Sequence, residues 1–258
     1  MVTACIADEE LYARGAETVL GSWEAIARGS RDAAVVRHPG VAAAVFAAEP
    51  ERSIYNNALL VRHLAPAERA EALDAMEAAY ASARVSRFAA WTHEDDAAMR
   101  ADLEARGYTI DTATRAMGMA LADLRVPRPD LALAPSDWGA YVRHLEAAGL
   151  PAGLLAGVDP TAFHLLLAAR DGETVATALA FEAGGDCGIY NVSTLEPVRR
   201  RGLGTALTAL LAHDALARGC RTATLQSTAM AERVYTAVGF RDLGRILEYV
   251  PPAGRVTA

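Results

Sequence analysis

Over residues 8–28 the apolar positions recur at a spacing that suits one or two helices, in a stretch rich in alanine. Two short apolar runs follow, Ala33 to Arg37 and Val41 to Ala47, and predict strands on either side of the turn His38-Pro39-Gly40. Ile54 to His63 is strand-like. Pro66 then opens a helical stretch to about Tyr80, since the missing N–H of proline is not needed in a first turn. Val85 to Trp91 reads as another strand and Glu94 to Arg106 as a helix stopped by Gly107. Thr109 to Leu124 carries further strand pattern.

The pattern breaks at Arg125-Val-Pro-Arg-Pro-Asp130, where two prolines among charges cannot continue a helix or a central strand. Residues 125–130 are therefore expected as a linker between a domain at 1–124 and one at 131–258. In the second domain Ser136 is placed to cap a helix running to about Gly149. Phe163 to Ala169 and Thr174 to Glu182 predict a hairpin around Asp171-Gly172, with Cys187 to Leu195 as a third strand. Gly204 to Arg218 reads as a helix, Arg221 to Gln226 as a strand, and Met230 to Val238 as a helix closed by Gly239. Phe240 to Val250 ends the pattern as a strand pair or one bent strand.

These two lists repeat. Ile54-Tyr55-Asn56 and Ile189-Tyr190-Asn191 are the same tripeptide, 135 positions apart, and the same offset carries Trp91 onto Gln226. Each copy continues with a helix, a glycine–aromatic pair (Gly107-Tyr108, Gly239-Phe240) and more strand. A tandem duplication explains the shared tripeptide and the shared element order together.

With 52% apolar residues, the chain of 258 has material for a sizeable core and is not of disordered composition. A net charge of −7 disfavours nucleic acid and anionic membrane as partners. Cys5, Cys187 and Cys220 have no paired spacing and read as reduced thiols, and neither they nor the scattered histidines form a metal motif. No segment reads as a signal peptide or a membrane span, so a cytoplasmic protein is expected.

Candidate chemistry centres on Arg199-Arg-Arg-Gly-Leu-Gly204, between a strand and a strongly apolar helix. Two glycines permit a tight turn and close approach of backbone to a ligand, and the first N–H groups of the helix make an anion site. The arginines add charge and forked donors. By itself the pattern is more simply that of a strand–helix turn with a solvated basic patch. Other phosphate loops fit worse: the chain has no lysine for a Walker loop, and Leu207 stands where a dinucleotide fingerprint needs its third glycine.

Arg199-x-x-Gly202-x-Gly204 after a strand resembles the first signature of the GNAT acetyltransferase superfamily. Thr228-x-x-Ala231-x-x-Val234-Tyr235-x-x-x-Gly239-Phe240 is similar to the second. The resemblance covers about residues 131–250. Gly188-Ile-Tyr-Asn-Val-Ser-Thr194 looks like a subgroup of these proteins in which the N-terminal half is a decayed second copy. The resemblance implies an α/β fold of two units, each a mixed, mostly antiparallel sheet flanked by helices, and N-acetyl transfer from acetyl-CoA to a small-molecule or peptide amine.

It also implies a cofactor-binding set: Val192, Ser193 and Thr194 on the strand, Arg199, Arg200, Arg201, Gly202, Leu203, Gly204 and Thr205 in the loop, with Thr228 and Tyr235 beyond. Thr228 departs from the asparagine of the pattern. In the first copy Ala67 and Arg69 stand where Gly202 and Gly204 do, and Leu103 precedes Gly107 as Tyr235 precedes Gly239, so that copy lacks both loop and phenol. Tyr235 is expected as the general acid at the leaving sulfur. Glu182 is the candidate base, with Asp186 across the same turn as an alternative. Trp91, Tyr108 and Trp138 are candidate substrate contacts. No metal is expected, and the chain is expected as monomer or homodimer. A rival reading is a coenzyme A-binding module without turnover.

Overall fold

Asp8, Glu9 and Glu10 crowd the first turn of the opening helix, α1 (Asp8–Arg28), and Arg28 its last, the arrangement that complements a helix dipole. The computed structural model describes residues 6–51 and 54–252. After α1 come β1 (Ala33–His38), β2 (Val41–Phe46), β3 (Asn57–Leu60), α2 (Pro66–Ser82), β4 (Ala89–His93), α3 (Ala97–Ala105) and β5 (Thr109–Ala120). Then follow α4 (Trp138–Ala147), β6 (His164–Arg170), β7 (Glu173–Ala183), β8 (Asp186–Thr194), α5 (Leu203–Ala217), β9 (Thr222–Ser227), α6 (Glu232–Val238) and β10 (Arg241–Val250). Cys5 lies outside the described residues; Cys187 and Cys220 are free thiols.

Several edges differ from the sequence pattern for local reasons. Helix α3 starts three residues later than the apolar spacing suggests, because Asp96 caps it by accepting the Met99 N–H at 3.1 Å. Asp137 rather than Ser136 caps α4, through the Ala140 N–H at 3.0 Å. Strand β4 begins only at Ala89; Val85 and Phe88 are buried ahead of it as core residues, not strand.

The chain forms two compact units, one made of the residues up to Ser22 with Ala116–Leu243, the other of Trp23–Arg115 with the residues from Gly244 onward. The stretch 125–130 lies inside the first unit. Its Arg128 pairs with Asp214 of α5 at 2.6 Å, and the carbonyl of Val126 meets His213 Nε2 at 3.0 Å.

In the first unit β5, β9, β8, β7 and β6 lie side by side in that order. The β6–β7 and β7–β8 pairs are antiparallel and β8–β9 is parallel. Its core joins Leu207, Leu210 and Leu211 of α5 to Ala178 and Ala180 of β7 and Ile189 of β8. At Gly21 helix α1 runs so close to the sheet that a Cβ would meet the Phe181 ring at 2.8 Å.

The second unit orders β1, β2, β3, β4 and β10, with β3–β4 parallel and the other pairs antiparallel. Its core gathers Leu73, Met76 and Tyr80 of α2 with Met99 and Leu103 of α3, and Phe88 stacks on Tyr80 at 4.0 Å. Both units thus run strand, strand, strand, helix, parallel strand, helix. Both final helices close with the same bond, Tyr108 N–H to Leu103 O and Phe240 N–H to Tyr235 O, each 3.1 Å. The α/β class and the mixed, mostly antiparallel sheet with flanking helices agree with the expectation.

Candidate functional site

A gap opens within the sheet of the first unit because two neighbouring strands part. β8 pairs with β9 only from Asp186–Gly188 to Thr222–Thr224, while β8 itself runs on to Thr194. The closed end is pinned by the Asp186 carboxylate, which is 1% exposed and accepts the hydroxyls of Thr222 and Thr224, each at 2.6 Å. Asp186, a candidate base by its place at a turn, is thus a buried clamp engaged on both oxygens.

Past the closed end β8 bulges. Its register against β7 shifts between Thr177 and Leu179, and Asn191 adopts a left-handed φ of 49°. The Asn191 amide donates to the Tyr141 hydroxyl of α4 at 2.7 Å, and the Thr177 hydroxyl donates to the Asn191 carbonyl at 3.3 Å. The extra residue sends Val192 toward α5 and Ser193 toward α4. The Val192 methyl lies 3.7 Å from where a Cβ on Gly204 would stand, and the Ser193 hydroxyl meets His144 Nε2 at 3.1 Å. Burial lowers the pKa of His144 below its usual range, against the opposing hydrogen bond with the Thr174 carbonyl.

The chain leaves β8 through a short 3-10 turn, Glu196–Val198, and Arg199 folds back so that its Nε donates to the Thr194 carbonyl at 3.0 Å. Arg200 and Gly202 then take positive φ, 62° and 79°. That reversal starts α5 with no side-chain cap, so the N–H groups of Leu203, Gly204 and Thr205 form an uncapped first turn, with exposed Arg200 and Arg201 just before it. The corresponding start of α2 is closed. Pro66 has no N–H to offer, the Glu68 carboxylate accepts the Ala65 N–H at 2.8 Å, and Arg69 is spent on Asp102 and the Leu64 carbonyl.

Tyr235 of α6 is 7% exposed, with its ring edge-on to Phe240 at 6.2 Å. It shares one apolar cluster with Ile189 and Leu207, against which Val192, Leu203 and Val234 pack. Burial alone pushes the phenol up to about 12. Thr228 is exposed ahead of α6, and its carbonyl accepts the Ala231 N–H at 2.9 Å.

Glu182 stands apart from this group. Its Oε1 accepts from both Nε and Nη2 of Arg218, at the C-terminal end of α5. Gly202 and Arg218 are the residues flanking that helix, so they are about 24 Å apart along its axis. Of the candidate substrate contacts, Tyr108 is buried with its hydroxyl on Glu77, Trp91 meets Trp23 edge to face, and Trp138 donates to the Leu155 carbonyl. The sequence pattern gave no role to Tyr141 or His144, and it marked Asn191 only as part of the repeated tripeptide and of the stretch Gly188 to Thr194. Only Asn191 carried a sign, since asparagine tolerates left-handed backbone better than most residues.

Residues 130–240 match the model of a family described as Acetyltransferase (GNAT) family. Among solved structures, a GCN5-related N-acetyltransferase from Kribbella flavida aligns at a TM-score of 0.68 and 23% identity, over 93% of this chain and 96% of its own. A GCN5-related N-acetyltransferase from Sphaerobacter thermophilus aligns at 0.62 and 21%, over 94% and 88%. A tandem GNAT protein from the clavulanic acid biosynthesis pathway aligns at 0.57 and 14%, over 97% and 98%. At these identities the likeness is one of fold. No curated protein matches the sequence.

Proposed function

We propose that the chain is an N-acetyltransferase that moves an acetyl group from acetyl-CoA to a primary amine by direct attack. Residues 131–258 carry the activity, and residues 1–124 descend from the same fold by duplication and have lost it. One observation carries the reading: a parted pair of strands stands beside a helix that starts, uncapped, on left-handed Gly202. The unmatched edge of β8 from Val192 to Thr194 suits the amides of a pantetheine arm, which would add to the sheet as an extra strand. The first-turn amides of α5 with Arg199, Arg200 and Arg201 suit a diphosphate, and Thr228 lies at the entry to α6.

The thioester supplies an activated acyl group; the protein positions it and handles protons. The amine nitrogen bonds to the carbonyl carbon and the C–S bond breaks. The backbone N–H near Val192 stabilises charge on the carbonyl oxygen. The departing sulfur takes a proton from the Tyr235 hydroxyl, and the proton that the nitrogen sheds in becoming an amide passes through solvent back to the Tyr235 oxygen, so transfer to a neutral amine is proton-neutral and an ammonium acceptor first loses one proton to solvent. A phenol with its pKa at about 12 is a proton donor and not a base at neutral pH. Glu182, held by Arg218, is left out of this scheme.

The test is release of free thiol from acetyl-CoA across a panel of polyamines, aminoglycosides, amino acids and peptide N-termini. The expected outcome is amine-dependent release with at least one class, and the net charge of −7 favours cationic acceptors. Tight acetyl-CoA binding with no release over the whole panel leaves a binding module instead.

A further inference from the structure

Helix α4 grips β8 at two points, one on either side of Val192. Tyr141 and His144 are three residues apart, so they present side chains on one face of the helix. The Tyr141 hydroxyl accepts from the Asn191 amide at 2.7 Å, and His144 Nε2 meets the Ser193 hydroxyl at 3.1 Å. Both helix residues are buried, and the Trp138 ring lies 4.9 Å from that of Tyr141. From β7, the Thr177 hydroxyl donates to the Asn191 carbonyl at 3.3 Å.

The backbone between the two grips faces the gap. Leu195 sends its N–H to the Val175 carbonyl of β7. N–H groups alternate sides along a strand, so Ser193 also faces β7, while Val192 and Thr194 offer theirs to the edge that β9 has left. That parity depends on one extra residue. β8 advances three positions, Tyr190 to Ser193, where β7 advances two, Leu179 to Thr177. Were the bulge to slip by one place, Thr177 would pair with Val192 and the Val192 N–H would turn from the open edge into the sheet. Asn191 itself is exposed and held at φ 49°, a conformation that a side chain disfavours, so the bulge needs something to hold it.

We propose that Tyr141 and Asn191 are positioning residues for the acyl thioester, their hydrogen bond fixing the bulge that aims the Val192 N–H at the thioester carbonyl. The inference rests on the acetyl-transfer reading and adds to it what holds the carbonyl donor in place. Both residues act through the backbone and take no part in bond making. A donor of this kind is effective because it is fixed before charge develops, and losing one outright costs about a hundredfold or more in rate. A donor left in place but loosely aimed loses part of that. His144 secures Ser193 as the second grip.

The test is steady-state kinetics of the full-length protein with its best amine acceptor, together with the infrared band of the thioester carbonyl in bound, isotope-labelled acetyl-CoA. Asn191→Gly keeps the left-handed backbone and removes the side-chain bond. It should lower kcat about tenfold and leave KM for acetyl-CoA within about twofold. Tyr141→Phe should do the same, and the double variant should lose no more than either single one. Asn191→Asp, which can accept from the Tyr141 hydroxyl, should recover most of the rate. In wild type the carbonyl band should lie below its position free in solution, and in Asn191→Gly it should move back toward that position. A purely structural bond would lower thermal stability and leave kcat and the band alone. Should Tyr141→Phe not fold, Asn191→Gly and Asn191→Asp decide. Overturning results are unchanged kcat in a folded Asn191→Gly, losses that multiply in the double variant, or an unshifted band in wild type. Failure of the acetyl-transfer reading looks different: no turnover in wild type, with a shifted band that Asn191→Gly relaxes, refutes turnover and supports the positioning. Wild type that does not bind acetyl-CoA overturns both.

Discussion

At Gly202 the backbone turns through φ 79°, a conformation that costs any residue with a Cβ about 1 kcal/mol. Two residues on, Gly204 is constrained differently: a methyl there would sit 3.7 Å from Val192 and Val234, an ordinary contact. Gly204→Ala should therefore keep acetyl-CoA affinity within a few-fold. Gly204→Glu should abolish it, since a carboxylate would meet the diphosphate. Calorimetry separates the two, and a Glu variant that binds normally contradicts the loop assignment. Tyr235 makes a second residue-level test. Its phenol, raised to about 12, stays protonated throughout pH 6 to 10. Tyr235→Phe should lower kcat about a hundredfold, leave acetyl-CoA affinity nearly unchanged, and leave the shape of the pH–rate profile between 6 and 9 as it was. Full activity in the variant removes the acid role. The glycine turn was readable from the sequence pattern, while Tyr235 stood out only through the family resemblance. The engagement of Glu182 was not, because its partner Arg218 is 36 positions away and is brought to it only by the packing of α5 on the sheet.

Between elements, the decisive feature is where β8 leaves β9. The Asp186 carboxylate binds two threonine hydroxyls at the closed end of the gap, and it is buried. Asp186→Asn weakens both bonds and leaves an amide donor facing donors, so urea denaturation should show a loss of about 2–3 kcal/mol. A variant as stable as wild type would mean that the strands are held together elsewhere. The Asp186 partners belong to a strand on the far side of α5. From the one-dimensional pattern that residue looked like any acid beside a Gly-Gly turn. The bulge at Asn191 was equally hidden, since it depends on the register of β8 against β7 and on Tyr141, 50 positions earlier.

On the scale of the whole molecule, each unit draws on separate stretches of chain. Residues 8–22 of α1 belong to the first unit, where Gly21 lies close against Phe181. A fragment 131–258 lacks that helix. It should fail to give a cooperative thermal transition, and a well-folded fragment that binds acetyl-CoA would contradict this. The second unit makes a pH prediction through Glu248. Its carboxyl is raised from 4.5 to about 7, so the protonated form is favoured on folding. The resulting contribution is complete below about pH 4.5 and is lost as pH rises through about 7. Glu248→Gln should therefore match the wild type at pH 5 and exceed it by about 2–3 kcal/mol at pH 8, measured by denaturant unfolding. Equal stability at both values would show that the carboxyl is not desolvated.

Local signals are short-range, so the chain's own order of residues was enough for most of the elements, the glycine start of α5, the Gly-Phe stop of α6 and the repeated plan of strands and helices. Periodicity and caps involve neighbours within about one helical turn or one hairpin. The parting of β8 from β9, the clamp at Asp186, the bulge at Asn191 and the assignment of α1 to a unit more than ninety positions downstream involve partners far apart in the chain. Each depends on which surfaces meet once the core has closed, and no local pattern records that choice.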